Sequence, residues 1–182
     1  ISKQISIFFF FSSFFDLFWS SDHVHILLLL LLVGVNSCTM SRTTSSLTSS
    51  SRTKKNANVL NWKYDRGAIL DRLSNNNSNL VALRLRNNAI QDDSTKEIVR
   101  ALLTKSNPGD CQNDTLIWLD LEENKISSTG AEDLACLLKE NYALTYLTLD
   151  RNKIGDRGLL VISEALKTNS TLTTLNLGFN GI

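Results

Sequence analysis

From residue 80 onward the apolar and polar positions of this chain follow a fixed cycle. Four segments carry the same residues at the same offsets: Leu80, Leu83, Leu85, Asn88 and Ile90; Leu116, Leu119, Leu121, Asn124 and Ile126; Leu144, Leu147, Leu149, Asn152 and Ile154; Leu172, Leu175, Leu177, Asn180 and Ile182. Each reads LxxLxLxxNxI. Leucines two apart have the period of a strand with one buried face, so Leu83/Leu85, Leu119/Leu121, Leu147/Leu149 and Leu175/Leu177 are expected to point inward. The residues between them then point outward. Each asparagine falls where the strand turns away, and a buried amide there is expected to bond the backbone of its own turn and of its neighbours.

Between these segments the period becomes helical. Leu134, Leu137 and Leu138 match Ile162, Ala165 and Leu166, and Ile98 and Leu102 hold the same offsets one unit earlier. Gly130 and Gly158 follow their asparagines by six residues and are expected to permit a tight entry into the helix, with Ser94 in that place in the first unit. Cys136 is expected to be a small packing residue within its helix. Upstream, residues 62–73 place Ile69, Leu70 and Leu73 at helical spacing, with Asp65 as the expected cap, and residues 75–79 read as a turn.

The cycle is 28 residues from Leu116 to Leu144 and 28 again to Leu172; from Leu80 to Leu116 it is 36, one period plus an insertion of eight around residues 104–112. Self-similarity at such a period is the mark of a solenoid. The motif resembles the leucine-rich repeat superfamily, and specifically its ribonuclease-inhibitor-like class, over about residues 62–182. That resemblance implies an α/β leucine-rich-repeat solenoid, a right-handed horseshoe with a concave parallel sheet and convex helices. One repeat cannot bury its own apolar face, so stability comes from stacking. The sequence stops directly after a strand motif with no polar capping segment, so we expect the domain to be truncated at its C-terminus.

The first 60 residues differ in kind. Residues 1–39 consist almost wholly of Phe, Ser, Leu, Ile and Val, and the single methionine is Met40. Translation of an untranslated leader is one expectation for this segment and a signal sequence another, with residues 26–35 as its apolar stretch. A membrane-spanning helix is not expected, because Asp22, His23 and His25 interrupt the run. Apart from Met40, Leu47, Ala57 and Val59, residues 40–59 are Ser, Thr, Asn and basic residues, too polar to bury a core, and are expected to be a disordered tail. The ordered domain is therefore expected to span residues 60–182.

Composition removes several functions. The formal net charge is +1, which gives no global field for nucleic acid or a membrane surface. Cys38, Cys111 and Cys136 form no disulfide or zinc spacing. Both histidines, His23 and His25, precede the repeats, so no Ser-His or Cys-His nucleophile pair can form within them. No phosphate-binding glycine loop occurs. Asp92/Asp93 and Glu122/Glu123 read as solvated charges on turns, and the sequons at Asn76, Asn113 and Asn169 as local turn features. We expect no catalysis, no cofactor or metal, no nucleic acid and no small-molecule substrate.

What remains is the outward surface of the strands. Alternation sets up three columns: Ala82/Trp118/Tyr146/Thr174, Arg84/Asp120/Thr148/Asn176 and Arg86/Glu122/Asp150/Gly178. Trp118 and Tyr146 are then neighbours on an open face where the core pattern does not require them. Trp, Tyr and Arg are enriched at binding hot spots because they bury much area with few rotors. The candidate protein-binding residues are Arg84, Arg86, Trp118, Asp120, Glu122, Tyr146, Thr148, Asp150, Thr174 and Asn176, with Arg84 and Arg86 making one end positive and the carboxylates making the middle negative. The plainer reading is ordinary exposed strand residues with cross-strand pairs. The expectation is a cytoplasmic module binding a protein partner on the concave face. Alternatives are a GTPase-activating regulator of the Ran type, or a secreted or membrane-anchored receptor ectodomain.

Overall fold

The computed structural model describes residues 6–8, 61–104 and 112–182. In chain order the elements are β1 (Ser6–Phe8), α1 (Trp62–Ser74), β2 (Ala82–Arg84), α2 (Asp92–Leu103), β3 (Trp118–Asp120), α3 (Ser128–Glu140), β4 (Tyr146–Thr148), α4 (Gly155–Leu166) and β5 (Thr174–Asn176). All the strands are parallel, in the order β1-β5-β4-β3-β2. Strand and helix alternate through four repeats, giving the leucine-rich-repeat solenoid with its sheet on one side and helices on the other. Leu83, Leu119, Leu147 and Leu175 stand side by side in register, and all four are fully buried. Helix positions Ile98, Leu102, Leu134, Leu137, Leu138, Ile162, Ala165 and Leu166 close the same core from the other layer.

The strands are only three residues long, so other groups must satisfy the backbone at their ends. Asn124 donates from Nδ2 to the carbonyls of Leu85 and Leu121, both at 2.9 Å, and its Oδ1 accepts from the N–H of Asn88 and Ile90. Asn152 repeats this with Leu121, Leu149 and Ile126, and Asn180 with Leu149, Leu177 and Ile154. Asn88, first in the row, accepts from the N–H of Trp62 instead. A second row lies at the other end of the strands. Buried Asn113, Asn141 and Asn169 donate across to Leu73 O, Asn113 O and Leu138 O, while each Oδ1 accepts from the N–H three residues on. These asparagines do more than shape a local turn; they tie each repeat to the one before it.

Three local expectations are corrected. Gly130 and Gly158 lie inside α3 and α4, where any residue can adopt the backbone, and their role is close approach. A Cβ on Gly158 would meet Ile154 Cγ2 at 2.5 Å and Ala131 Cβ at 3.0 Å; one on Gly130 would meet Asp92 Oδ1 at 2.6 Å. The cap of α1 is Asn61, whose side chain accepts from Lys63 N, while Asp65 accepts the Asn61 N–H in return. Cys136 is exposed, on the outer side of α3, so it does not pack in the core. Cys38, Cys111 and both histidines fall outside the described residues. Of the apolar N-terminal segment only Ser6–Phe8 is described, and among the described residues no helix is long and apolar enough to cross a membrane.

Candidate functional site

The register of the sheet brings the expected columns together. Trp118 lies between Ala82 and Tyr146, Tyr146 faces Thr174, and Asp120, Thr148 and Asn176 follow in the next row beside Arg84. The rings of Trp118 and Tyr146 are 4.7 Å apart between centroids and tilted by 47°. The guanidinium of Arg84 lies 5.0 Å from the Trp118 ring, within cation–π reach. Asn176 Nδ2 donates to the Tyr146 hydroxyl at 3.1 Å, which fixes the tyrosine from the β5 side. Thr148 is 5% exposed and offers little surface for contact, while the other candidates are half-buried or exposed.

Beyond the strands the ladder continues. Leu85, Leu121 and Leu149 donate to the carbonyls of Asp120, Thr148 and Asn176, and Asn87, Glu123 and Arg151 donate to those of Glu122, Asp150 and Gly178. Here each repeat places a residue in the left-handed region: Asn87 at φ 53°, then Glu123, Arg151 and Phe179 at φ 56°. Simple alternation would send Glu122 and Glu123 to opposite faces. The left-handed residue undoes that, and Arg86 bonds Glu122 at 3.1 Å and Glu123 at 2.8 Å with one nitrogen. Glu123 also receives Arg151 at 3.0 Å, and Arg151 lies 5.2 Å from the Phe179 ring. Glu123, Arg151 and Phe179 are thus a fourth column of the surface that alternation alone misses. The signal was the fixed offset of these residues, one before each ladder asparagine.

This changes the charge picture. Arg86 is not a free positive end, since it is committed to the two glutamates, and Glu122 and Glu123 are paired as well as solvated charges. The bond to Arg86 holds the Glu123 carboxyl below the usual range and raises Arg86. Burial, with Asp120 nearby, raises Glu122 despite Arg86. Burial raises Asp150 to about 6; the Gly178 N–H opposes this, and the charges of Glu122 and Asp120 add to it. Asp92 is likewise not a solvated charge: its carboxylate accepts from the N–H and hydroxyl of Ser127, at 2.8 and 2.6 Å, and so joins α2 to the start of α3.

Elsewhere the surface offers less. An open polar depression of about 620 Å³ lies by the start of α2, lined by Arg66, Gln91, Asp93, Ser94, Lys96, Glu97 and Arg100, with charges of both signs. Among the described residues no group of His, Cys, Asp or Glu could hold a metal ion. The sequon residues Asn113 and Asn169 have buried side chains used in the second asparagine row, and Asn76 donates to Asp114 at 2.6 Å.

The family model described as "Leucine Rich repeat" matches at residues 76–99, 112–135, 143–163 and 168–182. These stretches coincide with the four repeats, which are leucine-rich repeats. No curated protein matches it in sequence. Among solved structures, leiomodin-1 actin-binding site 2 is similar with a TM-score of 0.55 and 28% identity, over 61% of this chain and 60% of that one. The tropomodulin C-terminal domain of Caenorhabditis elegans is similar over 62% of this chain and 82% of that one, with a TM-score of 0.48 and 14% identity. This chain spans about three fifths of the leiomodin-1 chain.

Proposed function

We propose that this chain is a non-catalytic protein-interaction module that grips a protein partner on the concave face of its sheet. The observation that carries this reading is the Trp118–Tyr146 pair, 4.7 Å apart on the outward face of neighbouring strands and flanked by Arg84. The leucines on the opposite face already fill the core, so folding does not call for two large aromatic rings here. A preordered aromatic pair loses little rotamer freedom on contact, which favours its use as an anchor. The similarity to leiomodin-1 actin-binding site 2 supports protein binding and makes actin the first partner to try.

The test compares the wild-type chain with Trp118→Ala plus Tyr146→Ala, and with Tyr142→Ala as a control on an exposed turn after α3. Co-sedimentation with filamentous actin, titration of monomeric actin and affinity capture from lysate supply the partner. Loss of two hot-spot rings is expected to weaken binding by at least about 30-fold, while the control stays unchanged. Equal recovery of the same partner by the double variant would count against the concave face.

A further inference from the structure

The concave face changes character along its strands. Val81 and Ile117, 44% and 42% exposed, immediately precede β2 and β3, and the face itself begins with the Trp118–Tyr146 pair. Toward the exit stand Asp120, Glu122 and Asp150. Glu122 has Arg86 as a partner, but that arginine is shared with Glu123. Asp120 accepts from the Glu122 N–H at 3.0 Å and Asp150 from the Gly178 N–H at 2.9 Å, and among the described residues neither forms a salt bridge. Trp118 Nε1 and Asn176 Oδ1 are shielded from water and without a hydrogen-bond partner among the described residues.

We infer that the partner held on this face presents a basic segment, with one lysine or arginine seated among Asp120, Glu122 and Asp150 and an adjoining side chain against Trp118 and Tyr146. The inference rests on the concave-face reading and names the chemistry that face selects. Charge complementarity is its main ground: among the described residues neither aspartate has a cation at salt-bridge distance, Arg86 and Arg151 acting on them only from farther off, and an incoming one completes them. Arg84 on the Trp118 ring gives an instance of that ring accepting a guanidinium. The crowded carboxylates point the same way, because burial and mutual repulsion raise Glu122 and Asp150 by more than Arg86 and Arg151 offset, and a further cation among them would oppose that rise.

The experiment uses the full chain and a labelled nine-residue peptide with lysine at three alternate positions, beside counterparts bearing glutamine or glutamate there. Fluorescence anisotropy reads each affinity. The lysine peptide is expected to bind at least about tenfold tighter than the glutamine peptide, with the preference falling as salt rises. Asp120→Asn plus Asp150→Asn keeps both backbone bonds and is expected to bring that preference close to one. No preference for lysine, or one that this variant leaves intact, would overturn the inference. Should Trp118→Ala plus Tyr146→Ala abolish binding of a partner that carries no basic segment, the concave face stands and the basic partner falls. The chain's own residues 41–58 hold Arg42, Arg52, Lys54 and Lys55 and no carboxylate. If the lysine peptide binds only after these four become glutamine, the occupant is this segment, which also overturns the proposal.

Discussion

Replacing Asn152 by alanine removes one side chain and disturbs three buried backbone groups. Its Nδ2 bonds the carbonyls of Leu121 and Leu149 at 2.9 Å, and its Oδ1 accepts from the Ile126 N–H at 3.1 Å. The two carbonyls keep a second amide each, from Asn124 and Asn180. The Ile126 N–H, on a fully buried residue, has no other partner among the described residues and is left unsatisfied. An orphaned buried donor costs about 1–3 kcal/mol, and the two lost carbonyl bonds bring the sum to about 2–4 kcal/mol. Asn88→Ala is the matched control. Asn88 is half-exposed, its Oδ1 serves only the Trp62 N–H, and its loss is expected to cost about 1 kcal/mol. Urea unfolding followed by far-ultraviolet circular dichroism measures both. Equal costs at the two positions, or less than about 0.5 kcal/mol for Asn152→Ala, would refute the claim that the amide row holds the repeats together.

Other consequences can be checked by similar means. Gly158→Ala forces a methyl against Ile154 and Ala131 and is expected to destabilise by about 1–3 kcal/mol, whereas Gly67→Ala, with nothing within 4 Å in α1, is expected to stabilise by about 0.5–1 kcal/mol. Thermal unfolding of the pair checks the sign; the same sign for both would contradict the close-approach account. Asp150 is raised to about 6 in the folded chain, so its contribution is most favourable below its unfolded value near 3.8 and is lost as pH rises through 6. Asp150→Asn is therefore expected to stabilise at pH 7.5, by about 1 kcal/mol after allowing for solvent screening of a half-buried group, and the gain should vanish near pH 4. A gain that instead grows on acidification would reverse the sign of the argument.

The leucines and the ladder asparagines were legible because a solenoid repeats its physics. A position that must be buried, or must donate to a neighbour's carbonyl, recurs at the same place in each repeat with the same residue type. The same logic brought Trp118 and Tyr146 together, since strand alternation is a rule of backbone geometry. Three features escaped. The column of Glu123, Arg151 and Phe179 depends on a left-handed residue, and none of the three is the glycine that usually announces one. The packing of Gly130 and Gly158 depends on the distance between neighbouring helices, which no single repeat contains. Trp62 is buried with its Nε1 donating to Ser94 Oγ, a contact across 32 positions that helical spacing alone does not indicate.

The most direct measurement places a photoreactive benzoylphenylalanine at Thr174, beside Tyr146 on the concave face, and in a second chain at Tyr142, which is 76% exposed on a turn. Irradiation in the presence of the partner and mapping of the adduct by mass spectrometry reads the contact without relying on affinity. An adduct is expected from position 174 and none from position 142, and the adduct is expected to be lost when Trp118 is also changed to alanine. An adduct formed only from position 142 would contradict the concave-face reading.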